Sequence, residues 1–365
     1  MRVVATAAAD SSGTYRITQP VDALAHWLNL DIEVVPQKVG FPVVVNADGQ
    51  FVSVDIDADV LVLQRPMFWI MPDLIDYVQA RGVAVVIELD DDFHTAHPQN
   101  TAFQAHHPRH NKHSNWQHLG ECIKRADLVT VSTDQLARRY GSHGRVVVLR
   151  NYIHGSWLAL PRTSNGATIG WAGTTVNHPV DLQAARGGVG MALDDHPGWQ
   201  FMCAGGEGHA AEICKQLEVD PARFVGTAWR ELELHRLVVS QFDIGIAPLQ
   251  DTVFNAAKSW LKGLEYAALG IPFVASDLPE YELLWRRFDV GEIAAAKSKV
   301  WRRSCNRLMD FDERHHLGQT YREQVERFLT IERNAWRWPE AWERAILNRR
   351  ISASKRDVVG AATGC

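Results

Sequence analysis

Short apolar runs recur along the first part of the chain, each followed by an amphipathic stretch. Residues 3–7, 32–36, 43–45, 60–64, 83–89, 128–132 and 146–149 are rich in Val, Ile and Leu, and runs of this length and β-branched content predict strands. Between them, 20–30, 72–81, 115–126 and 134–140 predict helices. The Pro, Ser, Asn and Gly of 158–166 mark a linker. After it the alternation restarts, with strands over 168–171, 199–204, 224–225, 244–247 and 273–275 and helices over 181–193, 208–217, 230–239 and 258–269. A final helix is predicted within 331–350, and the small, polar residues 351–365 are expected to fray. Apolar strands alternating with helices imply parallel sheets in an α/β architecture. The expectation is two facing Rossmann-like halves, 1–157 and 167–328, then a crossover helix over 329–350. Such sheets bind ligands outside the carboxyl ends of their strands.

Composition narrows the class of partner. With 46% hydrophobic and 22% charged residues the chain is an ordinary globular protein. A formal net charge of -5 argues against a general polyanion binder and leaves room for a local basic site. The five cysteines are scattered and form no C-x-x-C pair, which fits a reducing cytoplasm. No apolar run approaches the roughly 20 residues needed to span a membrane. Trp336, Trp338 and Trp342 cluster near the end of the chain and look like anchors for a docking helix.

The stretch 255–276, NAAKSWLKGLEYAALGIPFVAS, carries the sharpest chemistry. Read as one helix from 258, its spacings of four and three place Lys258, Lys262 and Glu265 on one face. Two cations near a helix start suit an anionic ligand, because free N–H groups and the macrodipole already favour negative charge there. A carboxylate two turns further on suits a ribose diol. The competing reading is a surface helix with an exposed Lys262–Glu265 pair, worth only about 0.3 kcal/mol.

Other constellations stay open on residues alone. Asp90, Asp91 and Asp92 follow the strand over 83–89; they form an acceptor-binding edge, a D-x-D metal site or a solvated acidic turn. Seven histidines fall between His94 and His118. Their spacing matches no zinc signature, and a loop over the acceptor site is the expectation. Within it His94 lies near the acidic strand end, placed to orient or deprotonate a hydroxyl, unless the loop is merely hydrated. Arg16 meets an acceptor or forms a structural ion pair. Trp229 stacks on a nucleotide base or serves a core or interface.

In order along the chain, ADLVTVSTDQLARRY (126–140), VVVLRNYIHGSW (146–157), TIGWAGTTVNHPVDL (168–182) and FDIGIAPLQDTVFNAAKSWLKGLEYAALGIPFVAS (242–276) resemble segments of the glycosyltransferases with the GT-B fold, especially the retaining family 4 type. The resemblance implies transfer of a sugar from a nucleotide-diphosphate donor, with retention of configuration. Glu265 matches the second acid of that family's E-x7-E motif, while Ala257 stands where the first would be. Taken with the residue readings above, the expected donor site is Gly173, Thr174, His178, Gly205, Asn255, Lys258, Lys262 and Glu265, with Lys258, Glu265 and His94 as the catalytic set. The usual Arg and Lys after the first donor-domain strand are missing, and Lys258 with Lys262 is inferred to replace them. Gly13, Tyr15, Arg16, Asp91, Asp92 and His94 are the acceptor-side residues, Gly13 belonging to a small-residue loop beneath the reaction centre. No cofactor is expected beyond the nucleotide sugar as co-substrate, and no divalent metal. The acceptor stays open among saccharide, lipid, natural product, protein and modified nucleic-acid base. Two rivals are a nucleotide-sugar epimerase on the same fold, using Asp90–Asp92, and a non-catalytic sugar-nucleotide or protein-binding module.

Overall fold

The computed structural model describes residues 1–164 and 166–363. The chain forms two compact units, one of Met1–His94, Gln104–Asn151 and the stretch from Asn334, the other of Thr95–Phe103 and Tyr152–Arg333.

The first unit is built on strands β1 (Arg2–Ala7), β2 (Asp31–Pro36), β5 (Val60–Gln64), β6 (Ala84–Leu89), β7 (Leu128–Val131) and β8 (Val146–Val148), with an antiparallel hairpin of β3 (Val43–Val45) and β4 (Phe51–Val54) beside them. The six-stranded sheet is parallel throughout, in the order β2-β1-β5-β6-β7-β8. Its central strands are buried along their whole length, as expected of a parallel sheet covered on both faces. The strand order reverses between β1 and β5, which opens a crevice at their carboxyl ends.

The second unit contains β9 (Thr168–Ala172), β10 (Gln200–Ala204), β11 (Phe224–Thr227), β12 (Ile244–Ala247), β13 (Phe273–Ser276) and β14 (Glu292–Ala294). These form another parallel sheet, in the order β11-β10-β9-β12-β13-β14, with its switch point between β9 and β12. Ile169, Trp171, Phe201, Ile213, Ile244, Trp301 and Leu308 meet in its core.

Apart from β4 and β14, which no apolar run marks, the strands follow the predicted runs nearly residue by residue; the helices depart more. After β1 the chain coils at once, through Ser11–Gly13, a π-helical turn Thr14–Thr18, and Gln19–Leu24. The helix expected over 20–30 is present but ends at Leu24, and the coil begins earlier because Asp10 caps its start, accepting from Ser12 N at 3.0 Å. The helix expected over 181–193 is divided into Asp181–Ala185 and Gly188–Asp195 by Gly187 at φ +67°. The elements between 277 and 324, including Pro279–Phe288, β14, Ser298–Met309 and Phe311–Gln324, had no sequence prediction.

The last helix, Arg337–Thr363, belongs to the first unit. Helical backbone therefore continues past 350, where fraying is expected from sequence; 364 and 365 lie outside the described residues. Trp338 and Trp342 are buried, and Trp338 Nε1 donates to Arg16 O at 3.3 Å. Asn348 Nδ2 donates to Asp127 O at 2.9 Å, tying the helix to the start of β7. Trp336 is 45% exposed and is no anchor.

Candidate functional site

At the switch point of the second unit, β9 and β12 pair only through Ile169–Ile244 and Gly170–Gly245 and then part. Tyr266 fills the gap. Its hydroxyl accepts from Ala172 N at 3.0 Å and donates to Ile246 O at 3.1 Å, satisfying a backbone group on each strand. The ring needs Gly245 beneath it, since a Cβ there would lie 2.5 Å from Tyr266 Cδ2. Sequence reading gave Tyr266 no role. Tyr266→Phe is expected to leave a buried donor and acceptor unmatched and to lower the unfolding free energy of this unit by about 1–3 kcal/mol. Urea titration of both proteins measures it, and equal midpoints would remove the bridge from the account.

Tyr266 sits on the helix Leu261–Ala268, which carries Lys262 in its first turn. The Lys262 ammonium donates to Ala172 O and lies over the Trp171 ring, 5.7 Å from its centroid. Burial lowers its pKa, Glu265 opposes that shift, and Lys258 adds to it. A cation at the positive end of a helix with no side-chain cap is unfavourable unless an anion joins it. Glu265, one turn on, is buried.

The single helix expected from 258 is not formed. A short helix, Val253–Ala256, is capped by Thr252 and ends before Lys258; the next begins at Leu261. Lys258 therefore sits in the break, its ammonium 4.5 Å from the Phe254 ring centroid. The i,i+4 argument for Lys258 and Lys262 fails, yet the two remain close enough for Lys258 to depress the Lys262 pKa.

The loop after β9 brings the other predicted donor residues here. His178 Nδ1 is 2.8 Å from Asp181 Oδ2, and Asn255 Nδ2 donates to Asp181 Oδ1 at 2.5 Å. Burial holds His178 below the usual histidine pKa against the opposing pull of Asp181. For Asp181, burial alone would raise the pKa; the His178 hydrogen bond and charge and the donors from Gln250 and Asn255 outweigh it and leave the carboxylate ionised. Gly205, at φ +102°, lies against Gly173 and Thr174, and a Cβ on it would approach Gly173 O at 2.9 Å. The same Cβ would be 3.0 Å from Trp229, which is 58% exposed and leans on His235 with ring centroids 5.3 Å apart. Exposure excludes a core role for Trp229. His235 is pushed down to about 4 by burial and by Lys262, and so is neutral.

No family model matches the chain, and no curated protein matches it in sequence. Solved structures do match it in three dimensions. A sucrose-phosphate synthase from Thermosynechococcus elongatus superposes with a TM-score of 0.62 over 97% of this chain and 100% of its own, at 13% identity. HepE from Anabaena, solved with UDP and glucose, gives 0.60 over 94% and 99%, at 12% identity. The fold is that of the GT-B glycosyltransferases. A UDP-forming α,α-trehalose-phosphate synthase from Burkholderia xenovorans, solved with glucose-6-phosphate, shares it at 0.53 over 78% of this chain and 72% of its own, at 12% identity.

In the first unit of this GT-B fold the predicted acceptor residues separate. Gly13 makes its close approach to the chain itself, since a Cβ would lie 1.9 Å from Ala8 O. Tyr15 is buried. Arg16 is fully buried and donates to Glu88 Oε1 at 2.7 Å and Asn151 Oδ1 at 2.8 Å, so the ion-pair alternative describes it. Asp92 is buried too, accepting from Tyr140 Oη at 3.3 Å with Arg139 Nε at 3.5 Å; Asp91 is half-buried beside it. His94 Nδ1 lies 3.3 Å from Tyr140 Oη, and burial, then Arg139, lowers its pKa. His110 and His113 share no helix: Thr101–His106 ends before them. His107 packs on Trp116 instead, with ring centroids 4.5 Å apart. Among the described residues no group of three or more His, Cys, Asp or Glu is arranged to hold a metal, and no helix is long and apolar enough to cross a membrane.

The residue that organises the acidic strand end is one sequence reading passed over. Arg65, at φ +47°, grips Asp90 with Nε and Nη2, both at 2.7 Å, and reaches Asp10 Oδ2 with Nη1 at 2.9 Å. Burial alone would lower the Arg65 pKa, but Asp90 and Asp10 more than offset it and hold it up. The available signal was position: Arg65 directly follows β5, a strand flanking the switch point.

Proposed function

We propose that the protein transfers a glycosyl group from a nucleotide-diphosphate sugar to an acceptor hydroxyl. The observation that carries this reading is Lys262, held half-buried by Ala172 O in the first turn of an uncapped helix at the β9/β12 switch point. Two of its ammonium hydrogens remain available to an anion. In this reading Lys262 and the first-turn N–H groups take the diphosphate, with Lys258 adding charge from the break before the helix. Glu265 takes the ribose hydroxyls, His178, Asn255, Gly173 and Thr174 line the sugar side, and Trp229 beside Gly205 offers its face to the base.

The fold supports the reading, and the UDP seen with HepE makes uracil the first base to try. Retention of configuration, implied by the sequence resemblance, fits attack on the face from which the phosphate departs, with the leaving phosphate accepting the proton. Since lysine charge and helix N–H groups stabilise the leaving diphosphate, a divalent ion is not required in this scheme.

Calorimetry with UDP, and release of UDP from UDP-glucose with and without EDTA, test the proposal. Saturable UDP binding and EDTA-insensitive turnover are expected. No binding of any nucleoside diphosphate would sink the reading.

A further inference from the structure

The switch point of the first unit holds a pocket of about 690 Å³ that the sequence did not foreshadow. It opens where β1 and β5 end, bounded by the chain after Ala7, the segment after β2 and the loop that leads into the helix Met71–Gln79. That volume suits a small organic molecule, the usual range being roughly 300–1,000 Å³. Its wall is largely apolar: Phe41, Met67, Phe68 and Met71 line it, and Phe68 is 44% exposed although it is a large hydrophobic side chain.

Its charge is equally informative. Among the described residues that line it, Arg65 is the only permanent cation, and its guanidinium is already bound to Asp90 and Asp10. One positive charge faces two negative ones, so nothing remains to neutralise a phosphate or carboxylate. His106, the other lining base, has its pKa lowered by burial and by Arg65. The Asp10 side chain, by contrast, is 58% exposed, with lone pairs left over after accepting from Ser12 N and Arg65. A carboxylate of this kind accepts from a hydroxyl and offers nothing to an anion.

We propose that this pocket takes an uncharged, amphiphilic acceptor, with its apolar body against Phe41, Met67, Phe68 and Met71 and its hydroxyl end toward Asp10. This rests on the glycosyltransferase reading for the word acceptor, but not for the chemistry of the pocket. Anionic acceptors such as sugar phosphates are the class it excludes.

Equilibrium binding to the full chain at pH 7 tests it with three probes: 2-naphthol, n-octyl β-D-glucoside and glucose 6-phosphate. The first two are expected to bind saturably and to weaken at least tenfold in Met71→Glu and several-fold in Phe68→Ala. Both variants should melt within a few degrees of wild type and bind UDP as wild type does. Glucose 6-phosphate binding more tightly than either neutral probe would overturn the proposal, as would neutral probes that ignore both substitutions. Cosedimentation with phosphatidylcholine vesicles that is lost in Met71→Glu, without binding of the soluble probes, would overturn it in favour of a lipid surface. UDP titration of the same samples separates the failures. Neutral-probe binding without UDP binding would keep the pocket chemistry and overturn its role as an acceptor site, whereas UDP binding with anion preference in the pocket would overturn only this inference.

Discussion

Lys262→Met is expected to weaken UDP binding by roughly 10- to 150-fold, the equivalent of about 1.5–3 kcal/mol for a hydrogen bond to a charged group. The same substitution should change the stability of the free protein little, relief of the buried charge offsetting the lost bond to Ala172 O. Lys262 is a cation held against burial and against the positive end of its own helix, so its charge costs stability until an anion arrives. The sign of the pH dependence follows. Its pKa is lowered in the fold, so between that value and the ordinary lysine pKa the unfolded chain binds more protons. Stability from this group therefore rises with pH across that window and is lowest where the lysine is fully charged. UDP reverses the preference by favouring the ammonium, so affinity should fall at alkaline pH for wild type and stay flatter for Lys262→Met. Calorimetry against UDP at several pH values, paired with thermal melts of the free proteins, measures both effects. A variant that binds UDP as wild type does, or that loses binding only because it unfolds, would remove Lys262 from the donor site.

Arg16→Met has the largest expected effect on stability. Arg16 and Glu88 are buried together, 2.7 Å apart, with Asn151 and Thr130 as further partners. Removing the arginine strands a carboxylate in the core, at a cost of about 3–5 kcal/mol. At about 2–4 °C per kcal/mol for a unit of this size, the melting temperature should fall by roughly 6–20 °C. Burial already raises the Glu88 pKa, with Arg16 pulling it back. Without Arg16 the carboxyl rises further and takes a proton more readily, so the deficit should shrink as pH is lowered from neutral. Arg16→Met combined with Glu88→Leu removes both charges and should recover much of the loss. Circular-dichroism melts of the three proteins decide the matter. A double variant no more stable than the single one would show that packing against Trp338, whose ring centroid lies 5.9 Å from the guanidinium, matters more than the charge pair.

These two residues show how far the sequence reaches. Lys262 and Glu265 were legible because a helical stretch between two apolar strands fixes which side chains lie near a sheet's carboxyl end. Lys258 was misplaced, because nothing in its immediate sequence announces that Thr252 caps a separate short helix. Arg16 was ambiguous: an arginine after a first strand looks the same whether it awaits a ligand or pairs with a glutamate 72 positions away. Asp10 and Tyr266 gave no signal and Arg65 only that of its position after β5, since each acts through partners far away in the chain.

By itself the sequence determined the α/β class, nearly every strand before 277 and the helix that carries Lys262 and Glu265. Those follow from local composition and periodicity, which the chain expresses wherever it goes. Only the tertiary structure decided the order of strands in each sheet, and with it the two crevices where order reverses. It alone decided that Tyr266 bridges the crevice of the second unit, that Arg65 is neutralised at the crevice of the first, and that an apolar-walled pocket without a free cation opens beside Arg65. These are properties of distance in space between residues far apart in sequence. Burial and pairing set the charge state of each, and neither is written in the residue itself.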